Sequence, residues 1–424
     1  MKISKGVSTI VLIGSLVLGP AIGPVFAANK AGGACSKAGA TAKVSKTTLT
    51  CKKVGKKLVW VSGAAAVVVE DLGKDSSISP VSALSSADVC KITDITQGPN
   101  NEITDASSGF PRYTLLPPAT RNARVLILPV SFSDFKFTDT TYDTIKLAYQ
   151  SIVKYYSSMS YGRVTVAPTF APKSDWITLS STIGENGLQD GEGADVVVRR
   201  LLALYATTHS FANYDIVDLV TNNDASSQLQ INLAMPADTS GYGTNQPVAA
   251  TLNAGLVGRF RHHAHEIGHA WLGYEDLYRY EDLEKFFGGW DLMDSAAGTN
   301  ELSSWSRWLA GWVTDAQVRC INAPGTTTHF VSALSTVVST PKMIVTKLSN
   351  SSALVVELRT PTEFDTCEVT AVVYVVDTKY WSGAGPIRLR GTLTSAGGVI
   401  TTDGVTVTLG KMNSAGAVIT VTKS

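Results

Sequence analysis

VLILPVSF, from Val125 to Phe132, is an apolar run with no polar alternation. That pattern predicts a buried strand. Further on, Ile145, Tyr149, Ile152, Val153 and Tyr156 recur at helical spacing, which predicts an amphipathic helix over 141–157. A second strand opens at Val164–Val166. Asp195–Tyr205 then reads as a helix and Tyr214–Val220 as a strand. Strands alternating with helices across Gly- and Ser-rich loops argue for an α/β layer. Beyond about residue 320 the texture changes. TTTHFVSALSTVV, ALVVELR, VTAVVYVVD and the Thr/Val-rich tail are strand-like and are punctuated by Gly, Asn and Ser. An all-β domain, a sandwich, is expected there.

The first 87 residues are patterned differently. Lys2 and Lys5 precede a mostly apolar stretch from Val7 to Ala21, and Val25-Phe26-Ala27 supplies small residues for cleavage after Ala27. This is the layout of a secretory signal over 1–27. The apolar stretch is short and rich in Gly and Pro for a membrane span. Cys35 follows Gly-Gly-Ala with no Leu three residues before it, so a lipid anchor is not expected. A secreted protein with no lasting membrane insertion is the expectation. Residues 28–62 form a small basic unit around two cysteines, and 63–87 read as a linker. A catalytic-type domain over 88–320 and a β-rich domain over 321–424 complete the expected organisation.

Composition sharpens this picture in two places. The 424 residues carry a net charge of +1, with 44% hydrophobic and 17% charged residues. That leaves no bulk electrostatic case for nucleic acid. The charge is uneven, however. No acidic residue occurs before Glu70, whereas Lys30, Lys37, Lys43, Lys46, Lys52, Lys53, Lys56 and Lys57 all do. Those lysines either contact anionic wall polymers or form a solvated basic face. The five cysteines suit an oxidising compartment. Cys35 and Cys51 are expected to pair, as are Cys320 and Cys367, which leaves Cys90 over. An unpaired Cys90 thiolate upstream of a metal site could hold that site latent.

The chemistry concentrates in HHAHEIGHAWLGYEDLY, His262 to Tyr278, which holds four of the six histidines. Residues four apart share one side of a helix, so His265 and His269 can offer two imidazoles to one ion. Glu266 lies beside them as a carboxylate base. This is the HExxH arrangement: zinc acidifies a water, and Glu266 takes its proton and passes it to the leaving amine. A catalytic zinc usually takes three protein ligands. Glu275 and Asp276 are the candidates for the third, because Gly273 lets the chain leave the helix and turn back. Glu281, Glu284 and Glu301 are more distant alternatives. His262 and His263 are expected to flank or support the site. Asp134, Asp139 and Asp143 could hold calcium, with a solvated acidic loop as the plainer reading. There is no phosphate-binding Gly-rich loop, no G-x-S-x-G elbow and no CxxC. GYGTNQP at 241–247 lacks the Lys-Ser/Thr of a P-loop and reads as a surface loop.

With GGWDLMD, Gly288 to Asp294, the sequence resembles the immune inhibitor A-type family of secreted bacterial zinc metallopeptidases, within the metzincin-like group. HEIGH, GYEDLY and WDLM stand in the family's order. VLILPVSFSD, YYSSMSYGRV, SSWSRWLAGWV, VVELR and VVYVVDT are similar to other parts of it, over roughly residues 110–380. The resemblance implies an α+β zincin-like fold of metzincin type, followed by a β-domain. It implies zinc on His265, His269 and Asp276, Glu266 as general base, and Met293 as a packing floor below the metal. The activity it implies is secreted endopeptidase action on proteins or peptides. One departure stands out. The family places Gly three and Asp six residues after the second His, whereas Gly273 lies four and Asp276 seven residues after His269. Glu275 occupies the sixth place. The intact Gly-x-x-Asp-Leu-Tyr favours Asp276. The insertion and the basic N-terminal unit also motivate a different class, an exported binding or adhesion protein that keeps the fold without useful catalysis.

Overall fold

The computed structural model describes residues 34–44, 47–54, 57–62, 72, 75–80, 83–94, 107–112, 116–182, 194–222, 232–236, 249–253, 259–294 and 301–424. The expected signal segment 1–27, part of the expected linker and the loop 241–247 lie outside the described residues. Two compact units divide the chain, Met1–Val67 and Val68–Ser424. The first is a three-stranded antiparallel sheet, β1 (Thr41–Val44), β2 (Thr47–Val54) and β3 (Lys57–Ser62). The Cys35–Cys51 disulfide ties its lead-in to the middle strand, where Leu49 and Cys51 are buried. The side chains of Lys43, Lys46, Lys52, Lys53, Lys56 and Lys57 lie outside the described residues, as does Lys30.

The second unit begins with a sheet between helices. Its strands are β4 (Ala123–Ser131), β5 (Val166–Phe170), β6 (Ile177–Thr178), β7 (Ile216–Val220), β8 (Asn232–Pro236) and β9 (Ala249–Asn253). They run in the order β5-β4-β7-β9-β8, with β6 pairing β4. All pairs are parallel except β8 with β9. β4 lacks alternation because both of its faces are covered. Val125 and Ile127 meet Ile145, Tyr149 and Ile152 of α1 (Asp139–Met159) on one side. Leu126, Leu128 and Val130 meet Val197, Val198, Leu201 and Leu202 of α2 (Ala194–Ala206) on the other. The expected helix over 141–157 extends two residues further at each end. Its start is fixed by Thr138, whose side chain accepts from the Thr141 N–H at 3.1 Å. No helix among the described residues is long and apolar enough to cross a membrane.

From residue 318 the same unit is all strands. β10 (Val318–Ile321), β12 (Met343–Lys347), β13 (Ser352–Arg359), β14 (Thr370–Asp377) and β15 (Ile387–Leu393) form one sheet, in the order β10-β12-β13-β14-β15. β11 (Gly325–Ser332), β16 (Val399–Thr402), β17 (Val405–Asn413) and β18 (Gly416–Lys423) form a second, in the order β11-β18-β17-β16. Leu354, Val356 and Val373 share one core with Val407, Leu409 and Ile419 of the second sheet, so the two sheets form a sandwich. The other face of the first sheet, with Val345, Val355, Val372 and Tyr374, joins the core of the helical layer. The boundary expected near residue 320 therefore lies inside one compact unit.

The expected Cys320–Cys367 pair does not form. Cys320 is bonded to Cys90, and Cys367 is the free thiol. Sheet order explains this. Cys320 lies on edge strand β10, and β12 and β13 stand between it and β14, which Cys367 precedes. Cys90 ends a short 3-10 turn, Ala87–Cys90, whose lead-in bonds to β10: the Ser85 N–H donates to the Cys320 carbonyl at 3.0 Å. The expectation of a latency thiolate on Cys90 falls with this pairing, because its sulfur is consumed and buried.

Candidate metal centre

Helix α3 (Phe260–Ile267) continues into a π turn over Gly268–Leu272, and the two carry the histidine cluster. A π turn closes i→i+5 hydrogen bonds and so holds one residue more than an α turn. The Gly273 N–H reaches back to Gly268, five residues earlier, as well as to His269. The extra residue in the sequence is taken up there. Gly273 then adopts φ 66° and ψ 34°, a left-handed conformation that glycine holds without a Cβ clash. The chain leaves the helix at this point and turns Asp276 back towards it.

Three ligand atoms meet. His265 Nε2 lies 2.9 Å from Asp276 Oδ1 and 3.1 Å from His269 Nε2, and His269 Nε2 lies 3.3 Å from the same oxygen. Each imidazole's other nitrogen faces a backbone carbonyl. His265 Nδ1 is 3.1 Å from the Leu292 oxygen, and His269 Nδ1 is 2.5 Å from the Tyr274 oxygen. An Nδ1–H donated to a carbonyl leaves the Nε2 lone pair for a metal and fixes the ring's orientation. Tetrahedral bonds of about 2.0–2.1 Å put ligand atoms about 3.3 Å apart, so the spacing and the nitrogen/oxygen donor set fit zinc. Among the described residues this is the one group of three His, Cys, Asp or Glu side chains whose ligand atoms converge.

Electrostatics support the grouping. Burial opposes ionisation of Asp276, but the two imidazoles outweigh it and hold its carboxyl well below the usual range. Burial likewise pulls His269 down, yet the Asp276 carboxylate prevails and pushes it up to about 9. Glu266 is buried, which raises its pKa, while His265 and His269 pull in the opposite direction. A carboxylate raised in this way holds a proton more readily than an exposed one, which suits a general base.

The remaining candidates are placed elsewhere. Glu275, the rival ligand, accepts from the Ser108 hydroxyl at 2.8 Å, and burial pushes its carboxyl up to about 8. Glu284 pairs with Arg279 and Glu301 with Arg307. Asp139 and Asp143 pair with Lys173 and Lys146 at the surface. His263 Nδ1 lies 3.0 Å from Asp218, which also accepts from the Tyr149 and Thr251 hydroxyls, a buried network that anchors the helix from behind. His262 Nε2 stands 4.0 Å from Glu266, and burial holds the His262 pKa down at about 3.

Met293 is buried in a 3-10 turn, Leu292–Asp294. A Cβ on Gly268 would come within 2.9 Å of the Met293 sulfur, so the glycine inside HEIGH lets that turn close on the helix. The turn is bonded to both halves of the site. Its Leu292 carbonyl faces His265, and its Met293 carbonyl accepts from the Leu277 N–H at 3.0 Å. Sequence reasoning missed Tyr280 and Ser382, which both contact Asp276. No motif marks either one. The signal for the π turn was present, as the extra residue itself.

No family model matches the chain, and no curated protein matches it. Among solved structures it is similar to metalloproteinase-II from Bacteroides fragilis, at 13% identity over 63% of this chain and 76% of that one, with a TM-score of 0.28. It is also similar to wild-type OgpA from Akkermansia muciniphila, at 12% identity over 68% and 98% of the two chains, with a TM-score of 0.26. The catalytically inactive form of OgpA, in complex with an O-glycopeptide substrate, aligns at 11% identity over 69% and 97%, with a TM-score of 0.24. Likeness at this level leaves the chemistry to be read from the chain's own geometry.

Proposed function

We propose that the protein is a secreted zinc endopeptidase of zincin-like fold, with His265, His269 and Asp276 as metal ligands and Glu266 as general base. The observation that carries this reading is the convergence of two imidazole lone pairs and one carboxylate oxygen beside a buried glutamate. A bound zinc ion supplies Lewis acidity towards a scissile carbonyl. Glu266 accepts the proton of the attacking water and returns it to the leaving amine. His265 and His269 are held to one tautomer by the Leu292 and Tyr274 carbonyls.

Edge strand β8 packs against α3 and its π turn. It pairs with β9 on one side and with no described strand on the other. Such an edge is a template for an extended peptide, which favours a peptide substrate. The insertion that motivated a binding-only reading is absorbed by the π turn without displacing Asp276, so that motive weakens.

The test is cleavage of casein and of a peptide library by the full-length protein, with and without a chelator. Cleavage should be chelator-sensitive. Glu266→Gln should retain zinc and lose about 10²–10⁴-fold in kcat/KM. Turnover that survives both treatments would overturn the reading.

A further inference from the structure

The turn between β14 and β15 reaches back to the metal-bearing loop from about a hundred residues further along the chain. The Asp276 N–H donates to Ser382 Oγ at 2.8 Å, and the Gly383 N–H donates to the Asp276 carbonyl at 3.0 Å. The peptide on each side of Asp276 is therefore held by this turn. The Tyr280 N–H donates to the Gly383 carbonyl at 3.2 Å, and Arg279 bridges to Ala384. The Tyr280 hydroxyl lies 2.9 Å from Asp276 Oδ2 and 3.0 Å from Ser382 Oγ. Donating its one proton to the carboxylate leaves the tyrosine oxygen to accept from Ser382. The three residues thereby close a ring of hydrogen bonds. Gly383, at φ 75°, has no room for a Cβ, because one would overlap the Tyr280 ring.

We infer that Ser382 and Tyr280 are positioning residues of the metal centre. They fix the Asp276 carboxylate so that Oδ1 faces the two imidazoles while Oδ2 is occupied. The sandwich thus completes the site that the helix begins. The inference rests on the metallopeptidase reading of that site. Partners one shell out from a metal orient its ligands, and losing one typically costs about 10–100-fold in affinity.

The test is zinc affinity of the full-length protein, by competition with a chromogenic chelator, for wild type, Ser382→Ala, Ser382→Thr, Tyr280→Phe and Asp276→Ala. Tyr280 is 55% exposed, so Tyr280→Phe keeps the ring and should leave the unfolding midpoint in chelator unchanged. Ser382→Ala and Tyr280→Phe should each weaken zinc by about 10–100-fold. Ser382→Thr should recover most of the loss. The visible spectrum of the cobalt-substituted protein should shift in Tyr280→Phe, which a merely structural role would not produce. If wild type takes up no zinc, this inference and the metallopeptidase reading fall together. If wild type binds zinc, Asp276→Ala loses it, and the Ser382→Ala and Tyr280→Phe variants match wild type in affinity and spectrum, this inference alone falls.

Discussion

Among the buried clusters of ionisable side chains in the larger unit, two are built on opposite plans. One joins α4 (Ser304–Leu309) and the residue before it in the cluster, Glu301, to the first sheet of the sandwich. There Arg307 pairs with Glu301, and Arg359 pairs with Glu357 and Asp365. Every carboxylate oxygen has a donor. Glu301 receives Thr362 and Arg307; Glu357 receives Arg359, Ser304 and Tyr374; Asp365 receives Arg359 and the Cys367 N–H. The other cluster sets His265 Nε2, His269 Nε2 and Asp276 Oδ1 face to face, three acceptors about one point. Buried polar groups are normally satisfied. The first cluster satisfies itself and welds layers together. The second is satisfied only by a proton or a cation, and that need distinguishes a candidate site from a structural weld.

The sharpest way to separate them is to break each in turn. Arg359→Met leaves the buried Glu357 and Asp365 without the guanidinium they share. Removing one partner of a buried ion pair costs about 3–5 kcal/mol. Denaturant unfolding should show that loss, while the folded fraction binds zinc as wild type does. A loss under about 1 kcal/mol would mean that the cluster is not a weld. Asp276→Ala should do the reverse. Zinc affinity should fall by more than the roughly 100-fold upper cost of losing an outer partner. Its unfolding midpoint in chelator should move less than that of Arg359→Met. Glu275→Gln, whose side chain faces Ser108, should keep zinc affinity within about threefold, a difference under 1 kcal/mol. Metal analysis showing zinc lost from the Glu275 variant and kept by the Asp276 variant would move the register by one residue.

How much of this was legible in the sequence follows from how local each feature is. His265, Glu266 and His269 were legible because helical spacing alone brings them together. β4 was legible because burial on both faces removes alternation, and the same holds for β13 and β14, buried along nearly their whole length. β17 keeps its alternation because only one face is covered. The disulfide was misread because pairing depends on strand order, which cysteine spacing does not encode. Asp276 over Glu275 was favoured on motif grounds, yet what turns it inwards is a π turn and contacts from Ser382 and Tyr280. The weld could not be read at all. Arg359 and Glu357 look like the polar end of a strand, and only the packing of α4 against the sheet buries them.

Proton release tests the contrast most directly, because it counts the proton that stands in for the cation. Asp276 pushes His269 up to about 9, against the downward pull of burial. Below that pH a zinc ion must displace a proton from His269, and above it no proton is left to displace. Metal affinity should therefore rise with pH towards 9 and flatten beyond, at about tenfold per unit for a single proton. Calorimetry at pH 7.5 in two buffers of different ionisation enthalpy should report about one proton released per zinc from this group. In Asp276→Ala the largest cause of the upward shift is gone, and burial is opposed only by Glu266 and the Tyr274 carbonyl. The contribution from that imidazole should then fall at pH 7.5, along with most of the affinity. Arg359→Met should leave proton release as in wild type, because none of its partners faces the imidazoles. A wild-type affinity that stays flat between pH 7 and 9 would show that His269 and Asp276 are not coupled as their geometry requires.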